Sequence, residues 1–288
     1  MKFAIPLSML PMEELLPLTL AAEEEGFNSV AVSDHLIHPA TFSVPYPYTE
    51  DGRVRWEPGT DWPDPITTLS FLAGSTNEIN FYTSVYVLPS RNPIRAAKEI
   101  STLSNLSKGR FSLGVGMGWM PEEFQAGEQP FSMRGKRADE MLKIMKLLWA
   151  GEMVHYAGDF FSFERLEMLP KPDYHLPIYV GGFSEPALER AAKYDGWISD
   201  MHSLDELADL IKKISKLRAT VGNRNDYEII AFSSWDAFSF DGFKKMEEIG
   251  VTTITTYPWM LYGITNEASL DKKIDGLKKF SRNIINKF

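Results

Sequence analysis

The chain of 288 residues contains no cysteine. Disulfide bonds, thiolate metal ligands, cysteine-ligated iron–sulfur clusters and cysteine nucleophiles are therefore excluded. Long apolar runs are also missing, since the longest hold about four or five residues against the roughly 20 that span a bilayer. The first residues lack the apolar h-region and small-residue cleavage site of a secretory signal. We expect a cytoplasmic protein without a membrane segment, whose chemistry uses other side chains or a cofactor.

Basic residues are fewer than acidic residues. The chain carries 30 Lys and Arg against 39 Asp and Glu, which leaves a net charge of −9. Nucleic-acid binders need clustered cations to neutralise phosphates, so this balance argues against that class. Hydrophobic residues make up 44% and charged residues 24%, which is ordinary for a folded globular enzyme. No repeat or linker divides the chain, and we expect residues 1–288 to form one domain.

Predicted strands and helices alternate along the chain. The strands are predicted at 2–8, 29–33, 79–88, 110–115, 178–181, 196–200, 227–233 and 251–256. The helices are predicted at 13–25, 94–106, 133–149, 185–193, 204–219 and 240–249. Repeated strand–helix units are typical of parallel sheets with right-handed crossovers. About eight such units favour an α/β fold, a (β/α)₈ TIM barrel, over the alternative of an open doubly wound sheet.

Two segments interrupt this alternation. The long connection 36–63 follows the second strand and is rich in aromatic side chains, among them Tyr46, Tyr48 and Trp56. Long loops in compact domains are usually functional or disordered, and the aromatic content favours an ordered loop that faces the substrate. The segment 153–163 alternates around Ala157-Gly158-Asp159 and predicts a β-hairpin inserted before the fifth strand.

Candidate reactive groups are sought at the carboxyl ends of the strands, where the loops of such a barrel converge. His35 follows the second strand and can donate or accept a proton near neutral pH. The neighbouring Asp34 could fix either the tautomer of His35 or the loop itself, and His38 is interpreted as an exposed loop residue. The remaining histidines show no metal-ligand spacing, so no metal site is predicted.

The fourth strand ends in FSLGVGMGW, with Gly114, Gly116 and Gly118 spaced two apart. A dinucleotide fingerprint needs its third glycine where this chain has Trp119, so that interpretation fails. Glycines without a Cβ let a flat ring or a phosphate approach the backbone, or permit a bulge at the barrel rim. Two glutamates, 122 and 123, follow at a predicted helix start, and either could face the site.

Two further strand ends carry candidate residues. Gly181 and Gly182 lead from the fifth strand into a helix, where free backbone N–H groups and the helix dipole suit a phosphate. A plain tight turn is the alternative interpretation of these glycines. In the third strand, Ser84 is the polar exception among β-branched residues.

Several stretches together resemble one family. They are AAEEEGFNSVAVSDHL, YPYTEDGR, TSVYVLPSRNP, LSKGRFSLGVGMGWMPEEF and LPIYVGGFSEPALERAAKYDGW, which lie within about the first 200 residues. This set resembles the bacterial luciferase-like monooxygenase superfamily, and most closely its branch of probable deazaflavin-dependent oxidoreductases. The resemblance implies a (β/α)₈ barrel that binds a flavin-type cofactor at its C-terminal face, in a protein that forms a homodimer.

The resemblance also assigns roles to residues. It implies that Ser84 and Val85 form a bulged segment, often with a cis peptide, under the cofactor ring. It implies that Gly181 and Gly182 meet the cofactor phosphate and that His35 lies near the ring. Other predicted positions combine this picture with the local pattern: Gly114 and Gly116 leave room beneath the ring, Trp119 bounds the pocket, and Tyr46, Tyr48 and Trp56 belong to the substrate loop.

The functional hypothesis is hydride transfer between a flavin-type cofactor and a small organic substrate. The resemblance favours coenzyme F420, a deazaflavin, over FMN, which would permit monooxygenation with molecular oxygen. Some sugar-phosphate dehydrogenases of the group carry a catalytic Glu where this chain has Trp119, so that chemistry is not carried over. The alternatives are a non-catalytic flavin-binding barrel and a phosphate-binding barrel enzyme of unrelated chemistry.

Overall fold

The computed structural model describes residues 1–222 and 226–288. The strands are β1 (Lys2–Pro6), β2 (Ser29–Val32), β3 (Asn80–Thr83), β4 (Tyr86–Val87), β5 (Phe111–Gly116), β6 (Val154–Ala157), β7 (Ser162–Leu166), β8 (Ile178–Gly181), β9 (Gly196–Ile198), β10 (Glu228–Phe232) and β11 (Thr253–Thr255). The α-helices are α1 (Leu15–Glu24), α2 (Pro65–Ser75), α3 (Pro93–Leu106), α4 (Pro121–Ala126), α5 (Arg134–Leu148), α6 (Glu185–Ala191), α7 (Leu204–Val221), α8 (Phe240–Glu248) and α9 (Leu270–Asn283).

The strands close into a barrel. The parallel order runs β3, β2, β1, β11, β10, β9, β8 and β5, and a further parallel pairing of β3 with β5 joins the two ends. The predicted TIM barrel is confirmed, and the open-sheet alternative is wrong because an open sheet would leave two strands with one neighbour each. Closure brings the carboxyl ends of all the barrel strands to one rim.

The predicted strand 79–88 is broken in the structure. β3 ends at Thr83, the peptide between Ser84 and Val85 is cis, and pairing with β5 resumes at β4. The resemblance implied this bulge. It lifts Ser84 and Val85 out of the regular ladder and into the barrel mouth.

Helices α2 and α9 were not predicted. α2 contains two threonines and two serines, which lower helix propensity, but Asp64 caps it and its apolar face packs into the core. The sequence of α9 does have a pattern that predicts a helix, because apolar residues repeat at helical spacing: Leu270, Ile274, Leu277 and Phe280. The barrel needs α9 to cover the seam between the first and last strands.

The core has two parts. The larger cluster lies between the strands and the surrounding helices and includes Phe3, Phe243 and Phe280, whose rings pack edge to face or tilted at 5.3–5.8 Å. A small separate cluster fills the barrel interior: Ala4, Ala31, Tyr82, Ile198 and Ile230. Because this layer fills the barrel axis, a ligand that enters the barrel mouth lies above it, at the rim.

The predicted hairpin is confirmed. β6 and β7 pair antiparallel before β8, with β7 extending to Leu166. Glu140 of α5 accepts hydrogen bonds from the backbone N–H groups of Asp159, Phe160 and Phe161. This carboxylate fastens the hairpin turn beside the barrel mouth. Across the described ranges, no helix combines the length and apolarity needed to cross a bilayer.

Candidate functional site

A cavity of about 1080 Å³ opens at the carboxyl rim of the barrel. Residues after every barrel strand line it, one from each being Ser8, Ser33, Ser84, Met117, Gly182, Ser199, Ser233 and Tyr257. The aromatic side chains of the 36–63 loop line it as well. Its size suits a cofactor together with a small substrate.

Val85 lines the cavity and packs on the small cluster in the barrel interior, so it forms part of the cavity floor. A Cβ on Gly116 would come within 2.3 Å of Val85 Cγ2, and one on Gly181 within 2.6 Å of Val85 Cγ1. Both glycines therefore make room for the Val85 side chain. Gly116 also lines the cavity, and the expectation that it leaves room for a flat ring stays a prediction.

Gly114 lies below the floor and does not line the cavity. A Cβ there would lie 2.0 Å from the Thr83 carbonyl oxygen. The predicted cofactor role of Gly114 is therefore corrected: its missing side chain accommodates the backbone of β3. Thr83 Oγ1 also donates to the Gly114 carbonyl at 2.7 Å, which ties the two strands at this level.

Hydroxyl groups hold the bulge in place. Ser8 Oγ donates to Ser33 Oγ at 2.8 Å, and Ser33 Oγ donates to the Ser84 carbonyl at 2.8 Å. Tyr257 OH donates to the Ser8 carbonyl at 2.8 Å. The bulged backbone is thus anchored to the ends of β1, β2 and β11, which fixes the floor relative to the walls.

His35 pairs with Glu123 of α4. His35 Nδ1 lies 2.8 Å from Glu123 Oε1, and the same oxygen accepts the Leu36 backbone N–H at 2.8 Å. Glu123 is only 2% exposed. A carboxylate accepts hydrogen bonds, so Nδ1 carries the proton and Nε2 is the nitrogen left for a ligand. Within the described ranges, no residue hydrogen-bonds Nε2.

Asp34 does not touch His35. Its carboxylate accepts the Val87 backbone N–H at 2.8 Å and pairs with the Arg91 guanidinium at 2.6 and 2.8 Å. Burial raises the pKa of the Asp34 carboxyl, and Arg91 and the Val87 N–H oppose that effect. Of the two roles considered for Asp34, fixing the tautomer is wrong and fixing the loop is what the contacts show. Glu123 takes the place beside the imidazole.

An aromatic box surrounds His35, formed with Tyr46, Trp56, Trp62 and Trp119. The imidazole lies 4.6 Å from both Trp56 and Trp62, and Tyr46 lies 5.1 Å from Trp119 and 5.5 Å from Trp56. Three of these residues were predicted for the pocket with His35. Trp62 was not singled out, although it belongs to the same aromatic loop.

The 36–63 loop is tied to the opposite wall of the mouth. Arg55 donates to both carboxylate oxygens of Asp200, each at 2.9 Å, and to the Tyr48 carbonyl at 2.6 Å. Burial opposes the Arg55 charge, yet Asp200 raises the pKa of this guanidinium. Tyr48 also packs edge to face on Phe183 at 5.6 Å. Burial raises the pKa of Tyr48 to about 12, so its phenol stays neutral near pH 7.

His38 and Glu122 serve the same loop. The His38 ring packs on Phe42 at 5.3 Å, so this histidine is not the exposed side chain that was expected. Glu122 Oε1 accepts the Ser43 backbone N–H at 2.7 Å. Both side chains shape the loop, whereas the adjacent Glu123 reaches the imidazole.

Gly181 and Gly182 line the cavity where β8 leads into α6. Gly182 has φ of +109°, and its carbonyl accepts Trp197 Nε1 at 2.8 Å. Ser184, the N-cap residue of α6, makes no side-chain hydrogen bond to the first turn. Pro186 has no N–H and the Ala187 N–H donates to the Ser184 carbonyl at 2.9 Å, so in the first turn only the Glu185 N–H lacks a partner among the described residues.

Basic side chains flank this turn. Four cations and two anions line the cavity there: Arg134, Lys136, Arg190 and Lys193, with Asp139 and Glu189. Arg190 pairs with Asp139 at 2.6 Å, and Arg134 Nε donates to the Gly118 carbonyl at 2.9 Å. This basic region has excess positive charge and suits an anionic group. Within residues 1–222 and 226–288, no group of three or more His, Asp or Glu side chains is arranged to hold a metal ion.

Two curated relatives resemble the chain over much of its length. An uncharacterized protein of Mycobacterium tuberculosis is 33% identical over 288 residues, 100% of both chains. An F420-dependent glucose-6-phosphate dehydrogenase of Microbacterium testaceum is 35% identical over 182 residues, 62% of this chain and 49% of that protein.

Solved structures share the fold. A monooxygenase from Streptomyces bottropensis superposes with a TM-score of 0.78 at 20% identity, over 100% of this chain and 99% of its own. An F420-dependent secondary alcohol dehydrogenase, bound to an F420–acetone adduct, superposes with a TM-score of 0.76 at 16% identity, over 99% of this chain and 98% of its own. The luciferase-like monooxygenase family model matches residues 4–234, which include most of β1, six further barrel strands and all the cavity wall segments named above except Tyr257. The chain therefore belongs to the luciferase-like monooxygenase family.

Proposed function

We propose that the protein is an oxidoreductase that transfers hydride between coenzyme F420, or FMN, and a small organic substrate. The observation that carries this proposal is the His35–Glu123 pair, which aims a free imidazole nitrogen into a cavity floored by Val85. A sequence relative and a solved structure of the same fold, both named as F420-dependent, support the choice of cofactor.

The residues present fit a flat ring with an anionic tail. Val85 offers an apolar surface at the cavity floor, held by the anchored Ser84 backbone. The Gly182 N–H donates to the Ile198 carbonyl at 3.4 Å, so among the described residues the N–H groups left for an anion at this turn are those of Phe183, Ser184 and Glu185; Lys193 adds positive charge. We infer that the ring lies on Val85 and that the phosphate lies at Gly181 and Gly182.

The cofactor supplies the hydride chemistry, and the protein supplies a proton and a dry site. His35 Nε2 would donate a proton to a substrate oxygen, or accept one, depending on the direction of the reaction. Glu123 holds the ring by Nδ1 and stabilises the imidazolium that forms when Nε2 is protonated. The 36–63 loop, tied by Arg55 to Asp200, shields this chamber from water.

A second function, FMN-dependent monooxygenation, remains the alternative because the barrel is shared with a monooxygenase. Absorbance titration of the purified protein with each cofactor separates the two. We expect stoichiometric binding of F420, and tight stoichiometric binding of FMN with none of F420 would contradict the preferred cofactor.

The role of His35 is tested by His35→Asn. We expect turnover to fall about 10²- to 10⁴-fold, the usual contribution of general acid–base catalysis, with cofactor affinity retained. Equal loss of cofactor affinity and turnover would show that His35 serves binding. A parent protein that binds cofactor but turns over nothing in a broad alcohol, aldehyde and ketone screen would favour the non-catalytic flavin-binding barrel.

A further inference from the structure

The part of the cavity around the aromatic box of His35, Tyr46, Trp56, Trp62 and Trp119 is called the aromatic region. The charged groups that line this region are all paired. They are Asp34 with Arg91 and Arg55 with Asp200; His35 hydrogen-bonds Glu123, which does not itself line the cavity. Each pair is at hydrogen-bond distance, between 2.6 and 2.9 Å. A ligand in this region therefore meets no cation or anion that lacks a countercharge among the described residues.

The ring geometry of the box adds a second constraint. His35 and Trp62 meet at 84°, Tyr46 and Trp56 at 90°, and Trp56 and Trp62 at 70°. In each pair the edge of one ring covers the face of another. Each such contact covers one face of one ring, and the Arg55 guanidinium, which Asp200 neutralises, already lies over the Tyr46 ring at 5.7 Å.

We propose that the substrate of this site is a neutral, planar, mainly apolar molecule that carries a carbonyl or hydroxyl oxygen, such as an aryl ketone or aryl alcohol. The proposal rests on the proposed function and names its substrate class. The flat apolar part would pack among Trp56, Trp62 and Trp119, and its oxygen would meet His35 Nε2, the nitrogen left free by Glu123.

Charged substrates of similar size are disfavoured for a physical reason. A carboxylate or phosphate entering the aromatic region would lose its hydration without gaining a free cation. A trialkylammonium group would meet the Arg55 cation already over the Tyr46 ring and no anion without a countercharge among the described residues that line this region. Sugar phosphates are disfavoured twice, because their hydroxyl groups find few polar partners among the tryptophans.

The test is a matched ligand series measured by calorimetry. The three probes are 4-methylacetophenone, 4-acetylbenzoate and 4-acetyl-N,N,N-trimethylanilinium, which share a ring and a ketone and differ in charge. Titration in phosphate buffer keeps the basic region occupied by phosphate. We expect the neutral ketone to bind at least about tenfold more tightly than either ion. An ion, or glucose 6-phosphate, that binds as tightly as the ketone would overturn the proposal.

Two variants locate the binding. Trp119→Leu should weaken ketone binding about tenfold, because an aromatic contact and its buried area are lost. Phe71→Leu is the matched control, since Phe71 is 59% exposed on α2 and does not line the cavity. Equal effects of the two substitutions, or no effect of Trp119→Leu, would place the ketone outside the box.

Asp200→Asn tests the charge argument directly. It leaves the Arg55 guanidinium without its countercharge, so we expect the ratio of carboxylate to ketone affinity to rise about fivefold or more. Asp139→Asn, which frees Arg190 in the basic region, should leave that ratio unchanged. An equal rise in both variants would locate the anion in the basic region and overturn the assignment.

These measurements concern ligand binding and do not require turnover. Repeating them with and without saturating F420 separates the two proposals. Failure of the protein to bind F420 or FMN would contradict the proposed function while the selectivity of the box still stands. Normal cofactor binding with the wrong charge preference would contradict only the substrate class.

Discussion

The aromatic and basic regions of the cavity differ in how their charges are paired. In the aromatic region every charge has a partner, as in Arg55 with Asp200, and rings supply the surface. In the basic region cations outnumber anions, and the start of α6 is uncapped. Where every charge is paired, an ion gains no attraction over a neutral molecule. Where positive charge is in excess, an anion is attracted. Under the proposed function, substrate choice and cofactor binding would belong to these two separate groups of residues.

After His35→Asn, the largest predicted effect is on the aromatic side of this comparison. Glu123→Gln keeps the shape of the side chain and removes its charge, so the imidazolium loses a charge-assisted hydrogen bond. Such bonds contribute about 1.5 to 3 kcal/mol, and we expect kcat to fall about 10- to 100-fold. KM for the cofactor should not change, since the basic region is untouched. Steady-state kinetics measure both constants.

The control for that variant is its neighbour. Glu122→Gln alters a carboxylate that binds the Ser43 N–H and does not contact His35, so kcat should stay within about twofold of the parent. Equal losses in the two variants would mean that loop order is responsible and that Glu123 has no specific role beside the imidazole.

The next largest effect is predicted at Gly116 and Val85, on the cavity floor between the aromatic and basic regions. In Gly116→Ala the new Cβ would lie 2.3 Å from Val85 Cγ2, so Val85 must move. Overpacking of this kind costs about 1 to 3 kcal/mol of unfolding free energy, measurable by denaturant unfolding. Cofactor affinity should fall with it, because the ring surface is displaced.

A second substitution tests that explanation. Val85→Ala removes both methyl groups that face the glycines, so Gly116→Ala should cost less in the Val85→Ala background. Additive losses in the double variant would show that the two side chains do not compete for the same space.

A smaller effect isolates the basic region. Lys193→Gln removes one cation from the phosphate side, and we expect F420 affinity to fall about fivefold at low salt and less at high salt. kcat at saturating cofactor should be unchanged. Lys212→Gln on α7 is the control, because Lys212 is exposed and pairs with Asp209. A fall in kcat in Lys193→Gln would break the proposed separation of the two regions.

The smallest predicted effect is a pH dependence of folding stability that arises from His202, at the mouth of the cavity. Burial lowers the pKa of His202, aided by Arg55 and opposed by Asp200 and Glu206. A histidine whose pKa is lower in the folded state contributes stability above its unfolded pKa of about 6.5, and that contribution is lost as pH falls. The thermal midpoint should therefore drop more steeply between about pH 7 and pH 5.5 in the parent than in His202→Gln. Parallel curves would contradict the lowered pKa.

Much of the fold followed from local pattern. The alternation of strands and helices predicted the barrel, and the predicted strand 178–181 matches β8. The missed α2 begins at an Asp cap and a proline and contains β-branched residues, so tertiary packing outweighed weak propensity there. The site was predicted in part: His35, Trp119 and the aromatic loop line the cavity, whereas Gly114 lies beneath it.

The sequence by itself determined the order of the barrel units, the absence of thiol chemistry and which residues stand at strand ends. Only the tertiary structure decided which side chains form contacts. His35 and Glu123 are 88 residues apart in the sequence, and Arg55 and Asp200 are 145 apart. Glu122 and Glu123 show the reason. Adjacent residues at the start of α4 point about 100° apart around a helix, so one glutamate reaches the loop and the other the imidazole. Nothing local distinguishes two neighbouring glutamates; the closed barrel does, by fixing where each side of α4 faces.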